Sequence, residues 1–203
     1  MEVAIDKNYI RVVDNFLEKE FCEHLIEKFE HCSEKQYTRN DFARMDELPL
    51  WTQNHITEMN AEQVEQQTTI NIHDFSKDVD YINQKLIEQT KLYSKEWDEQ
   101  DQWPNHMSIE GYRIKCYRAE RGDEFPPHSD AVHARVSKRF LGCLIYLNNS
   151  DAGTRFIKDD LTVEAVQGRL VLFPPYWLHP HQGLKPNHED KYITSTYLNL
   201  PEQ

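Results

Sequence analysis

The stretch EFPPHSDAVH, residues 124–133, sets a histidine and an aspartate two residues apart, His128 and Asp130, directly behind two prolines. In an extended backbone, residues i and i+2 project to the same side. An imidazole and a carboxylate there would face one point. Pro126 and Pro127 favour the extended form, because each fixes its own φ and restricts the residue before it. Two protein ligands are too few for a redox metal. A set of two histidines and one carboxylate holds non-haem iron on one face and leaves three positions open. Taken alone the motif says little: with 10 His and 15 Asp among 203 residues, a His-x-Asp arises by chance about as often as not.

A second histidine is available downstream, in FPPYWLHPHQG. His179 and His181 are themselves two apart, so strand parity does not separate them. The next segment, LKPNHEDKYITSTYLNL, starts a candidate strand at Lys191, with Ser195 on the same face. A cation there could hold the distal carboxylate of an acid chelated to the metal. A protein that only bound metal would have no use for it. The remaining histidines read more plainly. His133 is a loop residue, and His73-Asp74 is a helix-entry turn whose side chains point apart if extended. His24, His31, His55, His106 and His188 have no partner at ligand spacing. Arg113 and Lys115 share a strand face with Tyr117 and either line a pocket or meet solvent. Arg155 is equally open. Tyr176 and Trp177 form an aromatic wall beside the late histidines or simply pack there.

The elements that must position these residues divide the chain in two. DNFLEKEFCEHLIEKFEHC carries Phe21, Cys22, Leu25, Ile26 and Phe29 on one helical stripe, and a short strand, YIRVVDNF, precedes it. FSKDVDYINQKLIEQTKLYSKEW is a second helix, with Ser76 as its N-cap and Val79, Ile82, Leu86, Tyr93 and Trp97 on its apolar face. Pro104 cannot continue it. Residues 34–74 are polar and irregular. From about Met107 the period drops towards two, with expected strands at 109–118, 140–148, 154–157, 161–166, 169–173, 177–181 and 191–200, separated by turn residues. That pattern argues for a β-sandwich or barrel, of which the jelly roll is one form.

Composition sets the outer limits. The chain is long enough for one domain with a real core, and its 11% aromatic content is that of a folded protein. A net charge of −12 makes nucleic acid a poor partner and disfavours anionic membranes. No secretory signal opens the sequence, and the longest apolar run, LGCLIYL, is far too short to span a bilayer. Cys22, Cys32, Cys116 and Cys143 form no Cys-x-x-Cys and suit reduced thiols. The expectation is a soluble, cytoplasmic protein.

Read in order, IKCYRAERGDEFPPHSD, CLIYLNN, AGTRF, GRLVLFPPYWLHPHQG and KYITSTYLN resemble the 2-oxoglutarate/Fe(II)-dependent oxygenases, and among them the prolyl 4-hydroxylase-like group. YIRVVDNFLEKEFCEHLIE has the flavour of that group's opening strand and helix. The clear resemblance covers about residues 107–200. It implies an α+β fold with a mainly β core, a double-stranded β-helix (jelly roll, cupin-like) with supporting N-terminal helices. One domain would span residues 1–203, with 1–104 as helical and irregular support and 105–200 as the core. It also implies Fe(II) held by His128, Asp130 and a late histidine. Family spacing from that histidine to the basic residue is about nine or ten; His181 stands ten residues before Lys191 and His179 twelve, so His181 is the choice and His179 the reserve or a hydrogen-bonding neighbour. Lys191 matches the position that binds 2-oxoglutarate. Tyr117 and Tyr146 match positions whose hydroxyls often contact it, and Ser195 shares the Lys191 face.

The implied activity is hydroxylation of an unactivated C–H, with a prolyl residue of a peptide or protein as leading substrate. Dioxygen and 2-oxoglutarate are the implied cosubstrates, succinate and CO2 the implied products, and ascorbate the implied reductant that keeps iron as Fe(II). The alternatives are the same chemistry on a free amino acid or other small molecule, and a non-catalytic cupin-like module that binds a metal or ligand.

Overall fold

A computed structural model describes residues 1–32, 68–71, 75–97 and 102–201. Its strands are β1 (Glu2–Lys7), β2 (Ile10–Asp14), β3 (Thr68–Asn71), β4 (Ser108–Ile109), β5 (Arg113–Tyr117), β6 (Phe125–His128), β7 (Arg139–Tyr146), β8 (Ser150–Phe156), β9 (Leu161–Ala165), β10 (Leu170–Phe173), β11 (His181–Gly183) and β12 (Lys191–Asn199). The helices are α1 (Lys19–His31) and α2 (Ser76–Trp97). Two antiparallel sheets result. The larger runs β1-β2-β10-β7-β12-β5-β3, with β4 also paired to β12; the smaller runs β6-β11-β8-β9.

Side-chain alternation in the large sheet builds two cores. Ile114 and Cys116 of β5, Leu141, Cys143 and Ile145 of β7, and Leu170 and Leu172 of β10 face the helices. Tyr117, Tyr146, Val171, Phe173 and Ile193 face the small sheet, where Phe156, Val163 and Ala165 meet them. The layers are therefore helices, large sheet, small sheet, as two-faced burial requires. On α1 the buried stripe is Cys22, Leu25 and Phe29, and on α2 it is Ile82, Leu86 and Tyr93, at the spacing of one helical face. Asp78 locks the helices together, accepting from Lys28 Nζ at 2.5 Å and lying 3.2 Å from His24 Nε2.

The helical half is clipped to the sheets by a turn. Gly168 has φ +77, and its carbonyl accepts from Phe16 N at 2.8 Å and Leu17 N at 3.1 Å. A Cβ there would lie 2.2 Å from the Leu17 carbonyl oxygen, so the position needs glycine on both counts. Among the described residues no helix is long and apolar enough to cross a membrane.

Several expected boundaries move. Residues 109–118 are not one strand: β4 and β5 are separated at Glu110–Tyr112, where Glu110 N donates to Tyr197 O and its side chain takes Arg113 and Arg139. Residues 177–181 are not a strand either. His179 N donates to Tyr176 O at 3.0 Å, a turn, and the ladder begins only at His181. β1, β3 and β6 were not anticipated, and β8 begins four residues earlier than expected, at Ser150. Ser76 is the first residue of α2 rather than a residue before it. Most of segment 34–74, with His55, His73 and Asp74, lies outside the described residues.

Candidate active site

Three of the anticipated residues converge. His128 closes β6 and His181 opens β11, and the two are direct register partners across the ladder. Paired residues project to the same face, so both rings point between the sheets; their centroids are 4.3 Å apart. Asp130 follows β6 in a loop whose course is set by two backbone bonds, Asp130 N and Ala131 N to Pro175 O, each 3.0 Å. One ligand atom from each of His128, Asp130 and His181 lies within 4.8 Å of the others. Asp130 and His181 are buried, and His128 is partly open to solvent.

Proton positions decide what this cluster can hold. His128 Nδ1 lies 2.9 Å from Pro126 O, and His181 Nδ1 lies 3.1 Å from His179 O. A carbonyl only accepts, so each Nδ1 carries the hydrogen and each Nε2 presents a lone pair. Both Nε2 atoms face Asp130, at 3.3 Å from Oδ1 and from Oδ2 respectively. Asp130 Oδ2 is buried without a hydrogen-bond partner. Three acceptors with no donor between them need a cation at their centre. Burial alone would raise the Asp130 carboxyl, but positive charge on the facing His181 and His128 rings at the acid pH where the carboxyl would titrate, with the Tyr197 hydroxyl, overcomes it and holds the carboxyl well below the usual range. Burial pushes the His181 imidazole down to about 4, against the pull of Asp130, so the ring is neutral near pH 7 as a metal ligand must be. The donor set fits a divalent transition metal such as iron.

The other end of the same cavity is cationic. Lys191 is 1% exposed, and its Nζ donates to Leu184 O at 2.7 Å and sits 4.1 Å from the centre of the Tyr117 ring. Among the described residues it makes no ion pair. Burial pushes its ammonium down to about 7, opposed by the charge of Asp151. An unpaired buried lysine facing a cavity is built for an anion that arrives from outside. Ser195, on the same face of β12, has its hydroxyl buried without a partner and also lines the cavity. Tyr117, Phe125, Leu144, Phe173 and Ile193 complete the walls.

Tyr146 departs from the expectation that its hydroxyl meets a cosubstrate. It is fully buried, and the hydroxyl donates to Thr154 Oγ1 at 2.7 Å, with Val163 O at 3.3 Å. It stands behind the wall and fixes Thr154, which does line the cavity. His179 turns away from the cluster to Asp159, so the two late histidines are separated by the turn, not by strand parity. Lys115 is a buried lining residue, Arg113 pairs with Glu110 at 3.1 Å, and Arg155 is half-exposed and pairs with Asp160 at 3.0 Å. Trp177 is 66% exposed, so it does not pack inside. Phe125, Phe173 and Tyr197 line the site without having been singled out. Tyr197 was within reach of parity, since it extends the Lys191, Ile193, Ser195 face of β12 by one step.

Comparison with known proteins bears on this geometry. Residues 112–199 match the 2OG-Fe(II) oxygenase superfamily. The matched segment contains His128, Asp130, His181 and Lys191. Solved structures similar to the chain include prolyl hydroxylases. The viral collagen prolyl hydroxylase of Paramecium Bursaria Chlorella virus-1, in its 2OG complex, is 15% identical over 98% of this chain and 99% of that one, with a TM-score of 0.61. The Trichoplax adhaerens prolyl hydroxylase, in complex with a hypoxia inducible factor oxygen degradation domain peptide fragment, is 12% identical over 95% and 84%, with a TM-score of 0.63. A Pseudomonas putida prolyl-4-hydroxylase is 14% identical over 97% and 95%, with a TM-score of 0.57. At such identity the likeness is one of fold. No curated protein sequence matches the chain.

Proposed function

We propose that the protein is an Fe(II)- and 2-oxoglutarate-dependent dioxygenase that hydroxylates a prolyl residue in a peptide or protein. The single observation that carries the reading is the pairing, in one cavity, of the acceptor-only cluster His128, Asp130 and His181 with the unpaired buried cation Lys191. In this reading the two sheets are the halves of a double-stranded β-helix, residues 1–203 act as one domain, and the helices support its large sheet.

Bound iron would supply the activation of dioxygen, coupled to oxidative decarboxylation of 2-oxoglutarate to succinate and CO2. The chain's own residues do the rest. His128, Asp130 and His181 offer three ligand atoms from one side and leave the other side to the keto acid. The hydrogen bonds from both Nδ1 atoms keep each ring in the ligating tautomer. Lys191 binds the distal carboxylate of the acid and so sets its depth, with the Ser195 hydroxyl beside it. Phe125, Leu144, Phe173 and Ile193 exclude water from the space between the two ends.

A peptide is favoured as substrate by the rim. Val132 is 52% exposed, Trp177 66% and Leu178 50%, on two loops joined at Pro175 O beside Asp130. Exposed apolar side chains on the two loops that meet beside Asp130 suit a macromolecule better than a small polar metabolite. A non-catalytic metal binder is disfavoured because it would have no need of Lys191. The test is anaerobic addition of Fe(II) and then 2-oxoglutarate. A charge-transfer absorption band is expected only with both, and succinate forms once oxygen and a prolyl peptide are supplied. Absence of the band defeats the reading.

A further inference from the structure

The site as described leaves one buried polar pair unused. The side chains of His179 and Asp159 are 7% and 6% exposed, and Nδ1 of the first lies 3.0 Å from Oδ2 of the second. Neither lines the cavity. Asp159 is in the turn between β8 and β9; His179 is in the turn that runs into β11. Two further bonds join these segments, Ile157 N to Pro180 O at 2.9 Å and Lys158 Nζ to Trp177 O at 3.0 Å. A third element reaches the same carboxylate. From the turn between β1 and β2, Asn8 Nδ2 donates to Asp159 Oδ1 at 3.0 Å, and Lys7 Nζ donates to the Asp159 carbonyl at 3.2 Å.

These contacts matter because of what the His179 backbone does. Its carbonyl is the acceptor that holds His181 Nδ1. That carbonyl belongs to the peptide bond with Pro180, which has no N–H and so cannot be fixed from its other side by a ladder bond. Beside the His179 N to Tyr176 O bond of the turn, the plane of this peptide is set by what holds the His179 side chain, which is Asp159, and the Pro180 carbonyl, which is Ile157 N.

The geometry points to Asp159 and His179 as positioning residues for His181, through which the β1–β2 turn is coupled to the metal end of the cavity. The inference rests on the reading of His128, Asp130 and His181 as the iron-binding set. Losing the clamp frees the His179 carbonyl, and the His181 ring with it, while the Lys191 end stays on its own strands. Outer partners of metal-bound histidines are worth about 10–100-fold in metal affinity.

The test uses the full chain and anaerobic titration with Fe(II), or Co(II) as a spectroscopic probe, followed by 2-oxoglutarate at saturating metal. Asp159→Ala is expected to weaken metal binding by about 10–100-fold with unchanged half-saturation for 2-oxoglutarate. Asp159→Asn, which keeps an acceptor for His179, recovers most of the loss. Asn8→Gly removes the side-chain donor at an exposed position whose φ of +51 glycine tolerates; it gives a smaller loss in the same direction with little change in melting temperature. Asp160→Asn, in the same turn but outside the pair and tolerant of the φ of +47 there, leaves metal binding as it was. Wild-type metal affinity in Asp159→Ala overturns the inference. So does a parallel fall in metal affinity, acid affinity and melting temperature without rescue by asparagine, which would make the pair merely structural. If the unsubstituted protein binds no metal and shows no band with 2-oxoglutarate, the iron reading itself has failed and the inference falls with it; if it binds both and only the variants disagree, the inference alone has failed.

Discussion

His181 and Lys191 stand ten residues apart and bound one cavity, yet the chain holds them in different ways. Lys191 begins β12, which lies between β5 and β7 in the middle of the large sheet. Its neighbours Thr194 and Thr196 are fully buried. His181 begins a strand of three residues that follows a turn, and its partner strand β6 is an edge containing two prolines. The cationic end is fixed by the ladder of a nine-residue strand; the metal end has a ladder of only three residues, supplemented by single carbonyls at Pro126, Pro175 and His179. Substitutions at the first should change charge without moving the frame. At the second they should change geometry as well.

The largest effect is expected at the metal end. Asp130→Ala removes the carboxylate that both Nε2 atoms face. Iron binding and the 2-oxoglutarate-dependent band should be lost, and succinate formation should fall to background. His181→Ala should do the same, whereas His179→Ala should only weaken metal binding. Equal loss in the two histidine variants would erase the distinction drawn between the ring that faces the cluster and the ring that faces Asp159.

Lys191→Met should separate the ends more cleanly. Removing one partner of a desolvated charge pair costs about 2–5 kcal/mol, so the concentration of 2-oxoglutarate at half-saturation should rise by roughly 30-fold or more. Iron affinity without the acid should stay close to that of the unsubstituted protein, since the ladder around residue 191 is intact. The acid-free variant should also melt higher, because a buried cation with no partner has been replaced by an apolar chain. A matching loss of iron affinity would show that the ends are not independent.

A pH titration sharpens the same contrast without mutation. Burial holds Lys191 near 7 in the acid-free fold, against an ordinary value of 10.5. Between those limits the unfolded chain binds more protons than the folded one, so the acid-free protein should gain stability as pH rises from 7 towards 10.5. Binding of the acid demands the charged form. Its affinity should therefore fall about tenfold per pH unit above 7, with proton uptake on binding measurable by calorimetry in buffers of different ionisation enthalpy. Lys191→Met should abolish both dependences.

How much of this the sequence disclosed follows the same division. Lys191, Ser195, Tyr117 and the two helices are legible because their elements are regular: alternation assigns faces on β5 and β12, and the 3.6 period assigns the stripes of α1 and α2. The metal end is legible only as chemistry. His128 and Asp130 were found by residue type and order, but the route between His179 and His181 was not, because parity assumes an extended chain and residues 176–179 turn. β6 escaped because FPPH lacks two of its four backbone donors, a composition that reads against a strand and confines it to an edge. β1 escaped because EVAIDK has only Val3 and Ile5 to mark an apolar face and is almost wholly exposed. Tyr146 was placed on the right face of β7, yet alternation does not say whether a tyrosine lines a cavity or stands behind it.

The smallest effect is expected on the outer face of the small sheet. Arg155 lies between Thr154, which lines the cavity, and Phe156, whose ring centre is 5.6 Å from that of His181, so alternation turns Arg155 outward. Its pairing with Asp160 at 3.0 Å joins side chains that are 46% and 87% exposed. Screened pairs of this kind contribute little, so Arg155→Ala should change stability by less than about 0.5 kcal/mol. Metal and 2-oxoglutarate binding should be unaltered. Peptide hydroxylation is the informative readout, because Arg155 and Lys158 stand on the β8 side of the exposed Trp177. Unchanged kcat/KM on a peptide would confine substrate recognition to the rim loops at Val132 and Trp177. A selective rise in KM for the peptide would extend the docking surface over the small sheet and give its outer face a role that the cavity alone does not.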